Sequence, residues 1–187
     1  MVNSVTSLKS EAVAVSYAQF RETGELSMRR AADTLDVSAT ALYRHFANKQ
    51  ALLDAVADRA FTEFEKRLRS TKATDPSEII RGILDQYRQF AADEPNLFGL
   101  MFVDARRSAR KFPADFAAHR SAVFNLLWKA VDDTIGSSNS GDSLYLAHDL
   151  WALTHGQILL WRAGRFVDEP TFRKVLDLSI DHFVDSL

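Results

Sequence analysis

The sequence predicts an all-α protein in which three short helices lead into a bundle of longer ones, about nine helices in total. Only seven glycines and four prolines occur among the 187 residues, so few residues that interrupt helices are present. Apolar residues recur at three- and four-residue spacing nearly throughout, which is the period of amphipathic helices. Both observations argue against a β-sheet.

Composition narrows the class of protein. The chain has no cysteine, which excludes disulfides, zinc fingers and thiolate nucleophiles. The first ten residues, MVNSVTSLKS, lack a charged leader followed by an apolar run, and no stretch approaches the roughly 20 apolar residues that cross a bilayer. We therefore expect a cytoplasmic protein without a membrane partner. The formal net charge of −2 does not by itself suggest a nucleic-acid binder.

Caps and turn residues delimit three short helices at the start of the chain. Gly24 stands where the first helix is expected to end. Ser27 and Ser38 can each cap the start of a short helix, and Asp36 lies in the turn between those two helices. The predicted helices span residues 7–23, 28–35 and 38–46.

A long helix and a second body follow. Asn48 can cap a helix over residues 49–69. Asp75, Pro76 and Glu78 are typical of the N-cap, the first-turn proline and the capping-box acid of the next helix. Prolines and the loop GSSNSGDS separate the remaining segments. The predicted helices of this second body span residues 76–92, 95–107, 113–135, 143–163 and 170–187.

Two short helices joined by a tight turn are typical of a helix-turn-helix. In that motif the helix after the turn enters the major groove of DNA, while flanking groups hold phosphates. Ser38, Ala39 and Thr40 would then lie at the end of this recognition helix that approaches base edges. Tyr43, one turn further along, would reach a phosphate oxygen.

Basic side chains near the motif suit a polyanion. Lys49 opens the long helix, where its ammonium group and the free N–H groups of the first turn together favour an anion. Arg29 occupies the matching place on the helix before the turn. His45 can donate to a phosphate from either ring nitrogen.

Other interpretations of the same residues remain open. Leucine and phenylalanine at helical spacing are more often core than contact, and we expect Leu42 and Phe46 to be buried. Tyr43, whose ring ends in a hydroxyl, suits either packing or contact. Arg29, Arg44 and Lys49, taken singly, are more commonly solvated surface.

The segment SMRRAADTLDVSATALYRHFANKQALLDAVAD, residues 27–58, resembles the DNA-binding domain of the TetR family of transcriptional regulators. The family pattern runs Leu-Tyr-x-His/Tyr-Phe and then x-x-Lys-x-x-Leu-Leu. This chain matches the pattern at Leu42, Tyr43, His45, Phe46, Lys49, Leu52 and Leu53. The resemblance implies base or groove contacts from Ser38, Ala39 and Thr40, and phosphate contacts from Arg29, Tyr43, His45 and Lys49.

One position departs from the family pattern. Asp36 occupies the turn position where the family usually has glycine. That position favours a left-handed backbone, which glycine visits freely and aspartate tolerates at modest cost. We expect the turn to form nevertheless.

The C-terminal part carries a second resemblance. PNLFGLMF, and Trp151 followed by HGQILL, resemble the C-terminal domain type of these regulators that is named for a Trp-His-Gly signature, with His155 and Gly156 matching directly. In such regulators the last two helices pair with their twofold mates. The resemblance therefore implies a homodimer that contacts two half-sites about 34 Å apart. The alternative is that the apolar stripes of both helices face only their own core.

A small-molecule site is predicted between these helices and the middle ones. Aromatic and apolar side chains with a few polar groups are the usual lining of such a site, although each residue alone is more commonly core. The predicted effector-binding residues are Tyr87, Phe98, Met101, Phe102, Phe124, Trp128, Trp151 and His155.

Metal binding and catalysis find little support in the sequence. His148 and His155 share a helix face, with Asp149 or His119 as further ligands. Two turns separate the two histidines, however, which is too far to chelate one ion without other contributors. No Ser-His-Asp order, phosphate-binding glycine loop or carboxylate pair in a plausible cleft emerges. We predict no metal, no cofactor and no enzymatic activity.

The sequence thus predicts a ligand-responsive transcriptional regulator, a repressor that a small-molecule effector releases from double-stranded operator DNA. Residues 1–50 would form the DNA-binding domain, and residues 51–187 the effector-binding and dimerisation domain. The alternative is an all-α protein-interaction module without DNA binding, which would show no salt-dependent affinity for duplex DNA. A metal-assisted helical enzyme would instead require a stoichiometric ion held by the histidines.

Overall fold

Helices make up every regular element in the computed structural model of the chain, which describes residues 7–70, 72–104, 109–136 and 142–187. No strand occurs within these ranges, so the all-α prediction is confirmed. No helix in them combines the length and the apolar character that crossing a membrane requires. The α-helices, in chain order, are α1 (Leu8–Thr23), α2 (Met28–Thr34), α3 (Ala39–Tyr43), α4 (Lys49–Arg69), α5 (Pro76–Asp93), α6 (Pro95–Phe98), α7 (Ala114–Ala117), α8 (Ala122–Ile135), α9 (Ser143–Arg162) and α10 (Glu169–Asp185).

Backbone contacts divide the chain into two units. The first unit comprises Met1–Glu63 and Asp93–Ala109, and therefore holds α1 to α3, most of α4, and α6. The second unit comprises Phe64–Ala92 and Arg110–Leu187, with α5 and α7 to α10. The residues after α5 thus fold with the N-terminal helices. The functional division after residue 50 remains a prediction.

The first unit is built around α1, which packs against α2, α3 and α6. The end of α1 is fixed in three ways. Gly24 has a left-handed φ of 71°, as expected for the residue that ends a helix, and its N–H donates to the Phe20 carbonyl at 2.8 Å. Asn96 donates to the Arg21 carbonyl at 3.0 Å, and Arg21 Nε donates to Glu94 at 2.6 Å. The segment that opens α6 therefore holds the last turn of α1.

The turn between α2 and α3 contains the left-handed residue that the sequence predicts. Asp36 has a φ of 53°. Its N–H donates to the Asp33 carbonyl at 3.3 Å, and the Val37 N–H donates to the Ala32 carbonyl at 3.0 Å. These two bonds form a Schellman motif in which Asp36 takes the place usually held by glycine. The turn forms with aspartate, as expected.

In the second unit α9 packs against both α8 and α10. Arg81 of α5 also reaches α10, where it donates to Asp181 at 2.7 Å and to Asp185 at 2.9 Å. The buried side of α10 repeats every four residues and consists of Phe172, Leu176, Ile180 and Val184.

The single helix predicted over residues 113–135 is wrong, because the chain leaves the helix between α7 and α8. His119 has a left-handed φ of 55°. Its N–H donates to the Phe116 carbonyl at 2.9 Å, and the Arg120 N–H donates to the Asp115 carbonyl at the same distance. This is a second Schellman motif, formed without glycine. The Asp115 carboxylate also accepts from Arg120 Nη1 and from the Lys111 N–H, which lowers its pKa.

The helix predicted over residues 95–107 is also different in form. Only α6 is α-helical, and a π-helical turn, Gly99–Val103, follows it directly. Residues 105–108 lie outside the described residues, as do residues 137–141 of the predicted GSSNSGDS loop.

Replacing Asp36 tests the left-handed turn. Asp36→Gly should raise the free energy of unfolding by a few tenths to about 1 kcal/mol, because glycine has no Cβ to strain at positive φ. Asp36→Ala should lower it by roughly 0.5–1 kcal/mol for the opposite reason. Urea titrations followed by circular dichroism measure both changes. Asp33→Ala removes the same charge from within α2 and should have the smaller effect. Equal stabilities of the glycine and alanine variants at position 36 would contradict the assignment.

Candidate functional site

Side-chain caps fix where the helices α2, α3 and α4 begin. The acceptor in each case is the side chain of the residue before the helix, as predicted. This satisfies an N–H group that the first turn would otherwise leave free. The three bonds run from the Arg30 N–H to Ser27 Oγ (3.3 Å), from the Ala41 N–H to Ser38 Oγ (3.2 Å) and from the Ala51 N–H to Asn48 Oδ1 (2.9 Å).

The helix α3, predicted to be the recognition helix, has a buried side and an exposed side. Leu42 is 0% exposed and Phe46 is 3% exposed, which confirms both as core residues. Thr40 is exposed, and Tyr43 exposes 51% of its surface. The Tyr43 hydroxyl therefore lies at the surface rather than in the core.

The basic residues predicted to hold phosphates are exposed as well. Lys49 is the first residue of α4, next to the Asn48 cap. His45 lies between α3 and α4. Arg29 Nε lies 4.0 Å from the Asp33 carboxylate in a highly exposed pair, and such pairs contribute little and leave both groups accessible.

All seven positions predicted to contact DNA belong to the first unit. Six of them are exposed, and Ala39 is half-buried. Hydroxyl, imidazole, guanidinium and ammonium donors beside two capped helix starts form a surface that can bind a polyanion.

The second unit contains a cluster of polar aromatic side chains, in which Tyr87 is buried and Trp151 and His155 are half-buried. The Tyr87 hydroxyl lies 2.7 Å from Nδ1 of His155, and the Trp151 indole N–H donates to the same hydroxyl at 3.3 Å. Because an indole N–H can only donate, the Tyr87 oxygen accepts it and the phenolic hydrogen can go to His155 Nδ1. Burial lowers the pKa of His155 and raises the pKa of Tyr87, so both groups are neutral at pH 7. The neutral forms match this hydrogen-bond order.

Of two other predicted effector residues in this unit, one contacts the cluster and the other makes contacts elsewhere. The Phe124 ring lies 6.2 Å from the Trp151 ring. Trp128 makes its own contacts, because its N–H donates to Ser143 Oγ at 2.8 Å and its ring stacks on His119 at 4.6 Å. Phe124 is thus a neighbour of the cluster, and Trp128 is engaged elsewhere.

The three remaining effector candidates belong to the first unit. Phe98 and Met101 are buried, and Phe102 is half-buried. The Phe102 ring lies 5.2 Å from Phe98 and 5.4 Å from Phe61. The predicted set is therefore shared between the units, and its role in ligand binding stays a prediction.

The sequence interpretation missed Phe116 as a member of the aromatic cluster. Its buried ring lies 4.8 Å from Phe124 and 6.2 Å from Trp151. Phe112 precedes it by four residues and lies 5.8 Å away. That spacing of two phenylalanines is the signal that could have found it.

The histidines considered as metal ligands make other contacts. His155 is bonded to Tyr87, the His148 ring lies 4.0 Å from Phe112, and His119 stacks on Trp128. Among the residues that the structure describes, no group of three or more histidine, aspartate or glutamate side chains is arranged to hold a metal ion.

Comparison with known families matches both parts of the chain. The family described as bacterial regulatory proteins, tetR family, matches residues 13–56. The tetracyclin repressor-like C-terminal domain matches residues 80–187, more than half of the chain. The chain belongs to the TetR family. The stretch with Trp151, His155 and Gly156 lies inside the C-terminal match of this TetR-family protein.

Solved structures share the TetR fold over nearly the whole chain. A Rhodococcus sp. RHA1 protein of unknown function has a TM-score of 0.76 at 24% identity, covering 99% of this chain and 97% of its own. BioQ in complex with its natural double-stranded DNA operator has a TM-score of 0.64 at 26% identity, covering 96% and 99%. A TetR variant from Acinetobacter baumannii AYE in complex with minocycline has a TM-score of 0.65 at 18% identity, covering 97% and 96%. A search of curated proteins gives no match to this chain.

The half-buried imidazole of His155 predicts a pH dependence of stability. His155 has a folded pKa below its ordinary value of 6.5, so the unfolded chain binds this proton first as the pH falls. The free energy of unfolding should therefore drop as the pH falls below about 6.5, and His155→Gln should remove part of that drop. Urea titrations between pH 7.5 and pH 5.5, on the order of the range spanned by histidine titration, measure the difference. An unchanged pH dependence in the variant would contradict a lowered pKa of the His155 imidazole.

Proposed function

We propose that this TetR-family chain is a homodimeric repressor whose N-terminal helix-turn-helix binds double-stranded operator DNA and whose C-terminal part, residues 51–187, binds a small-molecule effector that releases it. The proposal rests on which side chains in and after α3 are buried and which are exposed. Leu42 and Phe46 are buried in the unit, whereas Thr40 and Tyr43 of α3 and Lys49 at the start of α4 are exposed.

The DNA contacts follow from the positions of the side chains. Ser38, Ala39 and Thr40 lie at the start of α3, where short side chains bring the backbone close to base edges. The groups proposed to hold phosphates are Arg29 of α2, Tyr43 at the end of α3, His45 after α3 and Lys49 at the start of α4. The complex of BioQ with its operator supports this role for a related chain.

The effector is proposed to act by binding one conformation better than the other. Effector and DNA affinities then oppose each other reciprocally, and a difference of a few kcal/mol between the two conformations suffices. The half-buried Trp151 and His155 bond to the hydroxyl of the buried Tyr87, and these groups supply polar atoms within an aromatic surrounding, as ligand sites usually do. The minocycline complex of the TetR variant supports an effector-binding role for a chain of this fold. Because the proposed partner is operator DNA, we place the protein in the cytoplasm and assign it no catalytic role.

The dimer is proposed to form through the last two helices. Leu160 on α9 is 49% exposed, and Leu178 on α10 is 59% exposed. At about 100° per residue, Leu178 points away from the buried side of α10, which is centred on Leu176 and Ile180. Large exposed apolar side chains on neighbouring helices suit an interface between two identical copies.

Variants of the recognition surface test DNA binding. A duplex selected from a random pool serves as the probe, and fluorescence anisotropy measures its affinity as a function of salt. Lys49→Ala should lower the affinity for selected and scrambled duplexes alike, because it removes one phosphate contact. It should also reduce the slope of log affinity against log salt concentration by about 1. Tyr43→Phe should also lower the affinity for all DNA sequences alike. Thr40→Ala should change the base preference instead.

A matched control separates the surface from total charge. Lys72→Ala removes an exposed lysine of the second unit and should leave the affinity and the salt slope unchanged. Equal affinities of Lys49→Ala and the parent at low salt would reject the phosphate contact. The absence of any salt-dependent duplex affinity in the parent would favour a protein-interaction module.

Light scattering at micromolar concentration tests the dimer. The parent should show twice the 21.0 kDa mass of one chain, and Leu178→Glu should shift it towards a single chain, because a buried unpaired carboxylate disfavours the interface. Val167 is 85% exposed between α9 and α10, so Val167→Glu is the control and should leave the mass unchanged. A parent that shows only the mass of one chain would reject the dimer.

A further inference from the structure

We propose that Arg44 contacts a guanine in each operator half-site and so sets the base preference of the recognition helix. This inference rests on the proposed DNA-binding function and makes it more specific. The direction of the Arg44 side chain relative to the buried side of α3 supports it.

Arg44 continues the helical path of α3. It directly follows Tyr43, has a φ of −71° and a ψ of −24°, and its N–H donates to the Thr40 carbonyl at 3.2 Å. The Phe46 N–H donates in turn to the Leu42 carbonyl at 2.9 Å, so the helical repeat spans both core anchors. At about 100° per residue, Arg44 lies about 160° around the helix axis from Leu42 and from Phe46. Arg44 therefore points directly away from the core of the unit.

The neighbours of Arg44 on α3 divide into a central and a flanking group. Thr40 lies only about 40° from Arg44 around the axis, so these two side chains share the outermost stripe. Tyr43 lies about 100° from Arg44, on the flank of the helix. When such a helix enters the major groove, residues at its N-terminal end contact base edges. A long side chain on the outermost stripe, one turn after Thr40, can reach a base edge as well, whereas a side chain on the flank faces a strand. Position thus assigns Arg44 to the bases and Tyr43 to a phosphate.

The guanidinium of Arg44 is not engaged within the protein. Arg21 is bonded to Glu94 and Arg29 lies next to Asp33, but Arg44 is exposed and makes no side-chain hydrogen bond or ion pair with the residues that the structure describes. A long side chain left without an internal partner loses no existing bond when it binds DNA. Its planar fork of donors is available to a ligand.

Guanine is the base that matches this fork. Its O6 and N7 are two neighbouring acceptors on the major-groove edge, and arginine binds them with two parallel hydrogen bonds. Adenine offers one acceptor and one donor there, and cytosine offers a donor. The geometry therefore points to a G·C pair at one position of each half-site.

Base substitution and side-chain substitution together test the proposal. In the duplex that the parent selects, each position of a half-site is changed to all four base pairs and the affinities are measured. We expect one position at which the parent prefers guanine by roughly 5- to 150-fold. Arg44→Ala should lose this preference at that position alone, and Arg44→Gln should move it towards adenine, whose edge suits an amide.

A modified base identifies the atom that is contacted. When 7-deazaguanine replaces that guanine, the N7 acceptor is lost while base pairing is kept. Binding of the parent should weaken, whereas Arg44→Ala should bind the modified and unmodified duplexes equally. Lys49→Ala is the matched control, because it also removes one positive charge but should keep the guanine preference and its sensitivity to the modified base.

The outcomes separate this inference from the proposed function. If Arg44→Ala lowers affinity for every sequence equally, Arg44 contacts a phosphate and the inference is wrong. If Arg44→Ala keeps the full base preference of the parent, the inference is also wrong, while the proposed function stands. If the parent selects no duplex at all, the proposed function fails and the inference fails with it.

Discussion

The DNA-binding unit depends on the burial of Leu42 and Phe46. The helix α3 spans only five residues, and a helix of that length has no stability of its own. Its orientation is therefore set by these two side chains, by the Ser38 cap at its start and by the left-handed Asp36 just before it. These same contacts therefore determine where the exposed hydrogen-bond donors of the helix point.

The second unit is ordered by a different constraint. Tyr87 of α5 is buried, and its hydroxyl must keep hydrogen-bond partners, because an unsatisfied polar group in a protein interior is destabilising. The half-buried Trp151 and His155 of α9 supply those partners. The cluster therefore fixes how α5 and α9 face each other more strictly than an apolar contact would. A ligand that replaced one of these bonds would have a physical means of altering how the two helices pack.

The sequence predicts those features that local chemistry decides. The caps at Ser27, Ser38 and Asn48 each require only an oxygen placed before a helix, and all three form. The break at His119 was not predictable in the same way. No glycine or proline marks it, and the short helix before the break depends on burying Phe116 against residues that come later in the chain. Arg44 required knowledge of the fold as well, because only the burial of Leu42 and Phe46 shows which way it points.

A titration of the ¹⁵N-labelled protein with its selected duplex tests the central claim most directly, since nuclear magnetic resonance reports on each backbone amide separately. We expect the largest changes in the amide signals of residues 38–49, with Thr40, Arg44 and Lys49 among them, at a stoichiometry of one duplex per dimer. The same duplex with its guanines replaced by 7-deazaguanine should produce a smaller change at Arg44. Changes centred on another surface at saturating duplex, with the signals of residues 38–49 unmoved, would contradict it.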